Sequence, residues 1–319
     1  MWIAVVLTFV VILGGLIWFN QYKFKQADLK FPPSGQFVTV EGIQLHYIRK
    51  GSGKPVVFLH GGVLTGNDFI NVLNIAATKG YQAIAFDRPG YGHSERPKSH
   101  KVTPMVQARL INAALKKLGI EKPIIVGHSW SGLLVLSYAL LYPKEIDGIV
   151  TIAAAMYKEG YPAENGDPIS KLVTTPVIGK LFLHTVLRSP LGTFLADRIL
   201  QATFAPEEIP NGYREATHAL WLRPGQFRAN REDILAFSPA AKNISARYKE
   251  IQNPIVIVVG DKDPFGVKEQ AIRLKEDIPH AELIILPEVA HMIPQNHPKH
   301  VVEIINRLVK SKNSNVIKV

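Results

Sequence analysis

The sequence predicts an α/β domain built on a mostly parallel sheet with helices on both faces. Three observations carry this. From Val56 onward, short apolar runs recur between helical stretches: Val56 to Leu59, Tyr81 to Phe86, Ile124 to Val126, Ile149 to Ala153, Ile255 to Val259 and Leu283 to Leu286. Strands that alternate with helices pair in parallel, with the helices packed back on the sheet. The residues able to do chemistry sit just past the carboxyl ends of these runs, where sites of open parallel sheets lie. Finally, 319 residues that are 47% hydrophobic suffice for one large α/β domain with an insertion.

The elements before the first parallel strand read differently. Met1 to Phe19 has no charged residue and twelve Leu, Ile, Val or Phe. As a helix it would extend about 28 Å, close to the hydrocarbon thickness of a bilayer. Trp2 and Trp18 stand near its two ends, where interfacial aromatics belong. A cleaved signal peptide would want a basic residue before the apolar run and a small-residue cleavage site after it, and neither is present. We therefore expect residues 1–19 to be a single-pass anchor and residues 20–35 a linker. Lys23, Lys25 and Lys30 follow the span, which by the positive-inside rule places the catalytic domain in the cytoplasm. Gln36 to Val40 and Ile43 to Arg49 then alternate around Glu41-Gly42, a hairpin signal.

Within the α/β pattern the strand rhythm stops between Ala155 and Ala241. That stretch carries helical spacing, as in Ile178, Leu181, Phe182, Thr185 and Val186, interrupted by Pro176, Pro190, Pro206 and Pro210. The expected division is a core of residues 36–154 and 242–319 with a helical insertion at 155–241. The tail Lys310 to Val319 reads as a frayed basic end. Absence of cysteine excludes disulfides, thiolate zinc sites and a Cys nucleophile. The net charge of +11 is spread along the chain without a nucleic-acid-binding module, so no nucleic-acid partner is expected, and a basic face suits anionic lipid headgroups better.

The chemistry centres on GHSWSG at 127–132, between the run Pro123 to Val126 and the helix-like run Leu133 to Leu141. A strand, a sharp turn and a helix in that order lift the side chain of Ser129 above the sheet edge, and the turn tolerates only small neighbours. Gly127 is one of these. Ser131 stands where the second is usually Gly. A serine hydroxyl becomes a nucleophile when an imidazole takes its proton, and the imidazole works best when a carboxylate fixes its tautomer. Asp261 and Asp263 follow the run ending at Gly260, and His291 lies in the loop PEVAHMIP after Glu282 to Leu286. An oxyanion hole needs two main-chain N–H groups. Trp130 supplies one, and the HGG loop at 60–62 supplies the other through Gly62, with Val63 the neighbouring alternative.

HGG at 60–62, DRPGYGHS at 87–94, GHSWSG at 127–132, GDKDPF at 260–265 and AHM at 290–292 together make the chain resemble the α/β-hydrolase superfamily over residues 31 to 319. The likeness is to its serine-nucleophile members of the esterase, lipase and perhydrolase type. The resemblance implies an α/β-hydrolase fold in which residues 155–241 form a cap over the nucleophile. It also implies that the acid is Asp263, three residues after the closing Gly, rather than Asp261. Ser129 sets the chain apart from haloalkane dehalogenases and epoxide hydrolases, whose nucleophile is Asp.

The remaining polar residues have structural readings. His60 is expected to bond beneath the oxyanion loop, Asp87 and Arg88 across a tight loop, and His93, Ser94 and His128 in turns or packing. His184 and His218 lack a ligand pattern, so no metal is expected. The cap aromatics Phe182, Phe194, Phe204, Tyr213, Trp221 and Phe227 read mostly as the cap's own core. The resulting expectation is a membrane-anchored serine hydrolase that needs no cofactor and cleaves a small apolar ester or acyl substrate. The alternatives are perhydrolysis, amide or carbon–carbon hydrolysis on the same triad, or a non-catalytic membrane-tethered binding module.

Overall fold

The computed structural model describes residues 1–98 and 101–316, with side chains described as far as Lys310. The chain opens with α1 (Trp2–Lys30), then β1 (Gln36–Val40), β2 (Ile43–Lys50), β3 (Lys54–Leu59), α2 (Ile70–Thr78), β4 (Tyr81–Phe86), α3 (Pro104–Lys117), β5 (Ile124–His128), α4 (Ser131–Leu141) and β6 (Gly148–Ile152). Helices α5 (Pro168–Thr174), α6 (Pro176–Thr185), α7 (Pro190–Phe204), α8 (Tyr213–Leu220) and α9 (Pro224–Ile244) follow without a strand. The alternation resumes with β7 (Ile255–Gly260), α10 (Val267–Asp277), β8 (Glu282–Leu286), α11 (Ile293–Asn296) and α12 (Pro298–Val316). Helix continues to Val316 where a frayed tail was expected, and residues 317–319 lie outside the described residues.

One sheet holds the strands in the order β1-β2-β4-β3-β5-β6-β7-β8. The hairpin β1–β2 joins β4 antiparallel, and every pairing from β4 through β3 to β8 is parallel. This is the α/β-hydrolase fold with a helical insertion between β6 and β7. Val56 to Leu59, Ile124 to Val126 and Ile255 to Val259 are almost completely buried, which is why these runs lack the alternation of half-exposed strands. Of the prolines that interrupt the cap pattern, Pro176 and Pro190 start helices, as do Pro168 and Pro224, each in a first turn where the missing N–H costs no helical bond, whereas Pro206 and Pro210 lie in the connection between α7 and α8. Asp167 and Ser189 accept from the Ser170 and Gly192 amides and complete two of these starts.

Residues 20–35 are not the linker that composition suggested. The helix of the apolar span continues through Lys30 and docks on α6 and α8 of the cap. Asn20 is fully buried; its Nδ2 donates to the Thr185 carbonyl at 2.9 Å and its Oδ1 accepts from the Arg188 amide at 2.8 Å. Phe24 and Ala27 are buried on the same face, and Asp28 and Lys30 pair with Arg223 and Glu215. A polar helix looks like a linker when its partners are distant in sequence, and Asn20 is 165 residues from Thr185. Phe194, one of the aromatics read mostly as the cap's own core, is 60% exposed, on the outer face of α7 with Leu191 and Leu195.

Candidate active site

Strand β5 delivers Ser129 at its carboxyl end with φ 55°, a left-handed conformation that a residue bearing a Cβ adopts only when its surroundings enforce it. They do so through the main chain: the Ser129 amide donates to the Ile152 carbonyl, and the Ser129 carbonyl accepts from Gly132 and Ala155. The bend explains the small residues around it. A Cβ at Gly127 would lie 2.4 Å from Val135 Cγ2, and one at Gly61 would lie 2.9 Å from Ser129 Cβ. Ser131, the departure from glycine, is buried and donates through Oγ to the His60 carbonyl at 2.6 Å. Its hydroxyl thereby ties the elbow to the oxyanion loop.

The loops after β7 and β8 bring the other two groups to the serine. Ser129 Oγ lies 2.9 Å from His291 Nε2, and His291 Nδ1 donates to Asp263 Oδ2 at 2.6 Å. The Asp263 side chain is wholly buried, with its second oxygen taking the Phe265 amide at 3.0 Å. Asp261 does not reach the histidine: it stays at the turn, where its amide donates to the Leu286 carbonyl. Gly260 has no room for a side chain, because a Cβ would stand 2.0 Å from the Val289 carbonyl oxygen, so the two loops run in contact. His128 adds a brace. Its Nε2 donates to the His291 carbonyl at 3.0 Å, and burial, followed by the neighbouring His291, lowers its pKa to about 3 and keeps the ring neutral.

The HGG loop after β3 lies against the elbow. Among the described residues, the main-chain N–H groups of Gly62, Val63 and Trp130 donate to no protein acceptor. Donors left open beside a serine hydroxyl can receive a developing oxyanion. His60 lies below the loop, with Nδ1 donating to the Gly61 carbonyl and Nε2 accepting from the Arg88 amide, both at 2.9 Å. Burial first, and then the Arg88 charge, lowers its pKa to about 3, so a neutral ring makes both bonds. Arg88, completely buried, donates to the carbonyls of His60 and Gly61 and to Asp233 at 2.6 Å, and its guanidinium lies 4.3 Å from the Trp130 ring. Asp87 closes its own loop by accepting from Gly66, His93 and His46. Burial pushes that carboxyl up, but the His46 hydrogen bond and charge outweigh it and hold the pKa below its ordinary value.

Three residues that sequence reasoning missed come from the last cap helix. Gln226, Asn230 and Asp233 recur on α9 at spacings of four and three, which places them on one face. Gln226 Nε2 donates to the Val63 and Leu64 carbonyls, Asn230 Nδ2 to the Gly62 carbonyl at 2.6 Å, and Asp233 receives Arg88, Arg96, Gln107 and Tyr91. The only available signal was polar residues at helical spacing, the pattern of any solvated face. Leu64 and Met292, close in sequence to Gly62 and His291, belong to a buried apolar cluster with Leu183, Leu187, Trp221, Leu222 and Phe227 of the cap.

A family profile described as alpha/beta hydrolase fold matches residues 54–298. A 2-hydroxy-6-oxononadienedioate/2-hydroxy-6-oxononatrienedioate hydrolase of Comamonas testosteroni is 25% identical over 290 residues, covering 85% of this chain and 94% of that protein. Among solved structures, the epoxide hydrolase VrEH1 of Vigna radiata superposes with a TM-score of 0.70 at 21% identity, covering 86% of this chain and 97% of that one. A thermophilic esterase of Thermogutta terrifontis does so with a TM-score of 0.68 at 17% identity, covering 87% and 99%.

Proposed function

Because this chain belongs to the alpha/beta hydrolase family and is a hydrolase, we propose that it cleaves an apolar carboxylic ester through a Ser129–His291–Asp263 triad. One observation carries the reading: the unbroken relay of 2.9 Å and 2.6 Å from serine through histidine to a buried carboxylate. His291 takes the hydroxyl proton as Ser129 Oγ bonds to the carbonyl carbon, and Gly62 and Trp130 amides receive the oxyanion. Collapse expels the alcohol, which leaves with the proton from His291. Water, deprotonated by the same histidine, then attacks the acyl-serine and releases the acid. The apolar cluster of Leu64, Met292 and cap residues favours an apolar acyl or alcohol group.

Serine at this position argues against epoxide opening, despite the likeness to VrEH1. Attack of a serine oxygen on an epoxide carbon would leave an ether, with no carbonyl for water to attack. A second reading, carbon–carbon hydrolysis on the same residues, is favoured by the Comamonas testosteroni relative. The substrate in that relative's name carries two carboxylates, which would meet apolar side chains here.

The helix α1 is long and apolar enough to cross a membrane by length and composition. We propose residues 1–19 as a single-pass anchor, with the catalytic domain on the cytoplasmic side by the lysines that follow. The test of the chemistry is an alkyl fluorophosphonate applied to the full-length protein. Ser129 should be labelled, and Ser129→Ala should lose the label and about 10⁶ of ester turnover with unchanged thermal unfolding. Turnover kept within about tenfold would discard the serine mechanism.

A further inference from the structure

Beyond α1, thirteen large apolar side chains are exposed among the described residues, and nine of them lie between residues 169 and 199 of the cap. Singly exposed apolar residues are ordinary, whereas a contiguous group marks a contact surface. Val177, Ile178 and Leu181 share one face of α6, and Leu191, Phe194 and Leu195 one face of α7, at helical spacings.

The way α1 is docked says what meets these faces. Its cap-facing stripe is Leu13, Ile17, Asn20, Phe24 and Ala27, a four-three repeat in which the first two are half-buried and the rest buried. Asn20 lies one residue past the apolar run that ends at Phe19, and its partners Thr185 and Arg188 sit at the junction of α6 and α7. That junction is therefore level with the end of the span. Leu13 is six residues earlier, about 9 Å deeper along the helix. The charge is suited as well: residues 168–204 carry Lys171, Lys180, Arg188 and Arg198 against the single acid Asp197. Basic side chains flanking apolar helical faces fit an anionic lipid interface.

We propose that the cap is seated in the bilayer, with the outer faces of α6 and α7 immersed in the leaflet through which α1 emerges. The proposal rests on reading α1 as a membrane span. It turns the cap, rather than the sheet, toward the lipid, so an ester dissolved in the leaflet meets the apolar cluster of the cap before it meets water.

The absence of cysteine allows single labels. Val6→Cys, Ile178→Cys, Phe194→Cys and Ile272→Cys all replace exposed side chains and leave the packed core alone. Each full-length variant would carry one thiol-linked fluorophore in phosphatidylcholine–phosphatidylglycerol vesicles, made with and without acyl-chain-brominated lipid. Labels at positions 6, 178 and 194 should lose most of their emission to the bromolipid, and the label at 272, on the core, should keep it. Quenching at 6 with bright labels at 178 and 194 overturns the seating of the cap and leaves the anchor standing. A bright label at 6 overturns the anchor and this proposal with it. Bright labels at 178 and 194 whose unlabelled thiols cross-link between chains would make the face a contact between copies, and also refute the proposal.

Discussion

Around Ser129 the protein holds its geometry with main-chain hydrogen bonds and completely buried side chains, whereas the cap above it leaves nine large apolar residues of α5–α7 facing outward. The two regions meet through a network of polar contacts. Gln226, Asn230 and Asp233 grip the HGG loop and Arg88, Tyr213 donates to Asp68 at 2.9 Å, and Glu207 accepts from the Ala290 amide at 2.7 Å and from His297 at 2.6 Å. The difference separates two jobs. The sheet loops hold Ser129, Asp263 and His291 in fixed relation, because a displaced residue there collides with backbone. The cap is latched onto that frame and has a surface shaped by what lies outside it.

The largest break in the comparison should come from the floor. Asp263→Asn replaces the carboxylate that orients His291 with an amide able to hold the wrong tautomer and is expected to lower turnover by about 10³ or more, whereas Asp261→Asn costs far less. Steady-state kinetics on both folded variants decide it, and the reverse ranking would move the acid to Asp261.

Cutting one latch should cost less. Asn230→Ala frees the Gly62 carbonyl, and we expect kcat to fall roughly tenfold as the oxyanion loop loses its register, with little change in KM. An effect on KM alone would mean that Asn230 shapes the pocket and not the loop.

The latch at Asp68 should respond to pH. Burial outweighs the Tyr213 and Gln295 hydrogen bonds and raises this carboxyl from 3.8 to about 7. Raised acids work in one direction: the unfolded chain ionises first, so this group's contribution to stability is fully present below pH 3.8 and falls as pH rises to about 7, beyond which the loss is complete. Asp68→Asn should remove that part of the slope in denaturant midpoints measured across the window. A variant whose slope matches the parent would show that Asp68 is ionised throughout.

The smallest effect belongs to Ser131→Ala. The His60 carbonyl still receives Arg88 Nε at 3.0 Å, so the loss should be about 1 kcal/mol of stability. Chemical denaturation measures it; a loss several times larger would mean that the hydroxyl is essential to the elbow.

The sequence revealed most of the floor because its residues follow apolar strands directly. Ser129, Asp263 and His291 each lie within five residues of the end of β5, β7 or β8, and chain order alone suggests their meeting. Strand β4 was legible to the residue, β7 and β8 to within one and β5 to within two. The latches were hidden for the opposite reason. Nothing local distinguishes Asn230 from a solvated residue, since its partner Gly62 is 168 positions away. The docked half of α1 failed in the same way: Asn20 and Gln21 look like the polar start of a tether until Thr185 and His184 are beside them.

On the proposed serine mechanism, the left-handed turn at Ser129 sets activity against stability within a single residue. At φ 55° a Cβ costs about 1–2 kcal/mol that glycine would not incur. Ser129→Gly should therefore be inactive and yet melt above the parent, while Ser129→Ala keeps both the Cβ and the strain. The folded state tolerates its reactive residue rather than favouring it, and relaxed, inert descendants lie one substitution away.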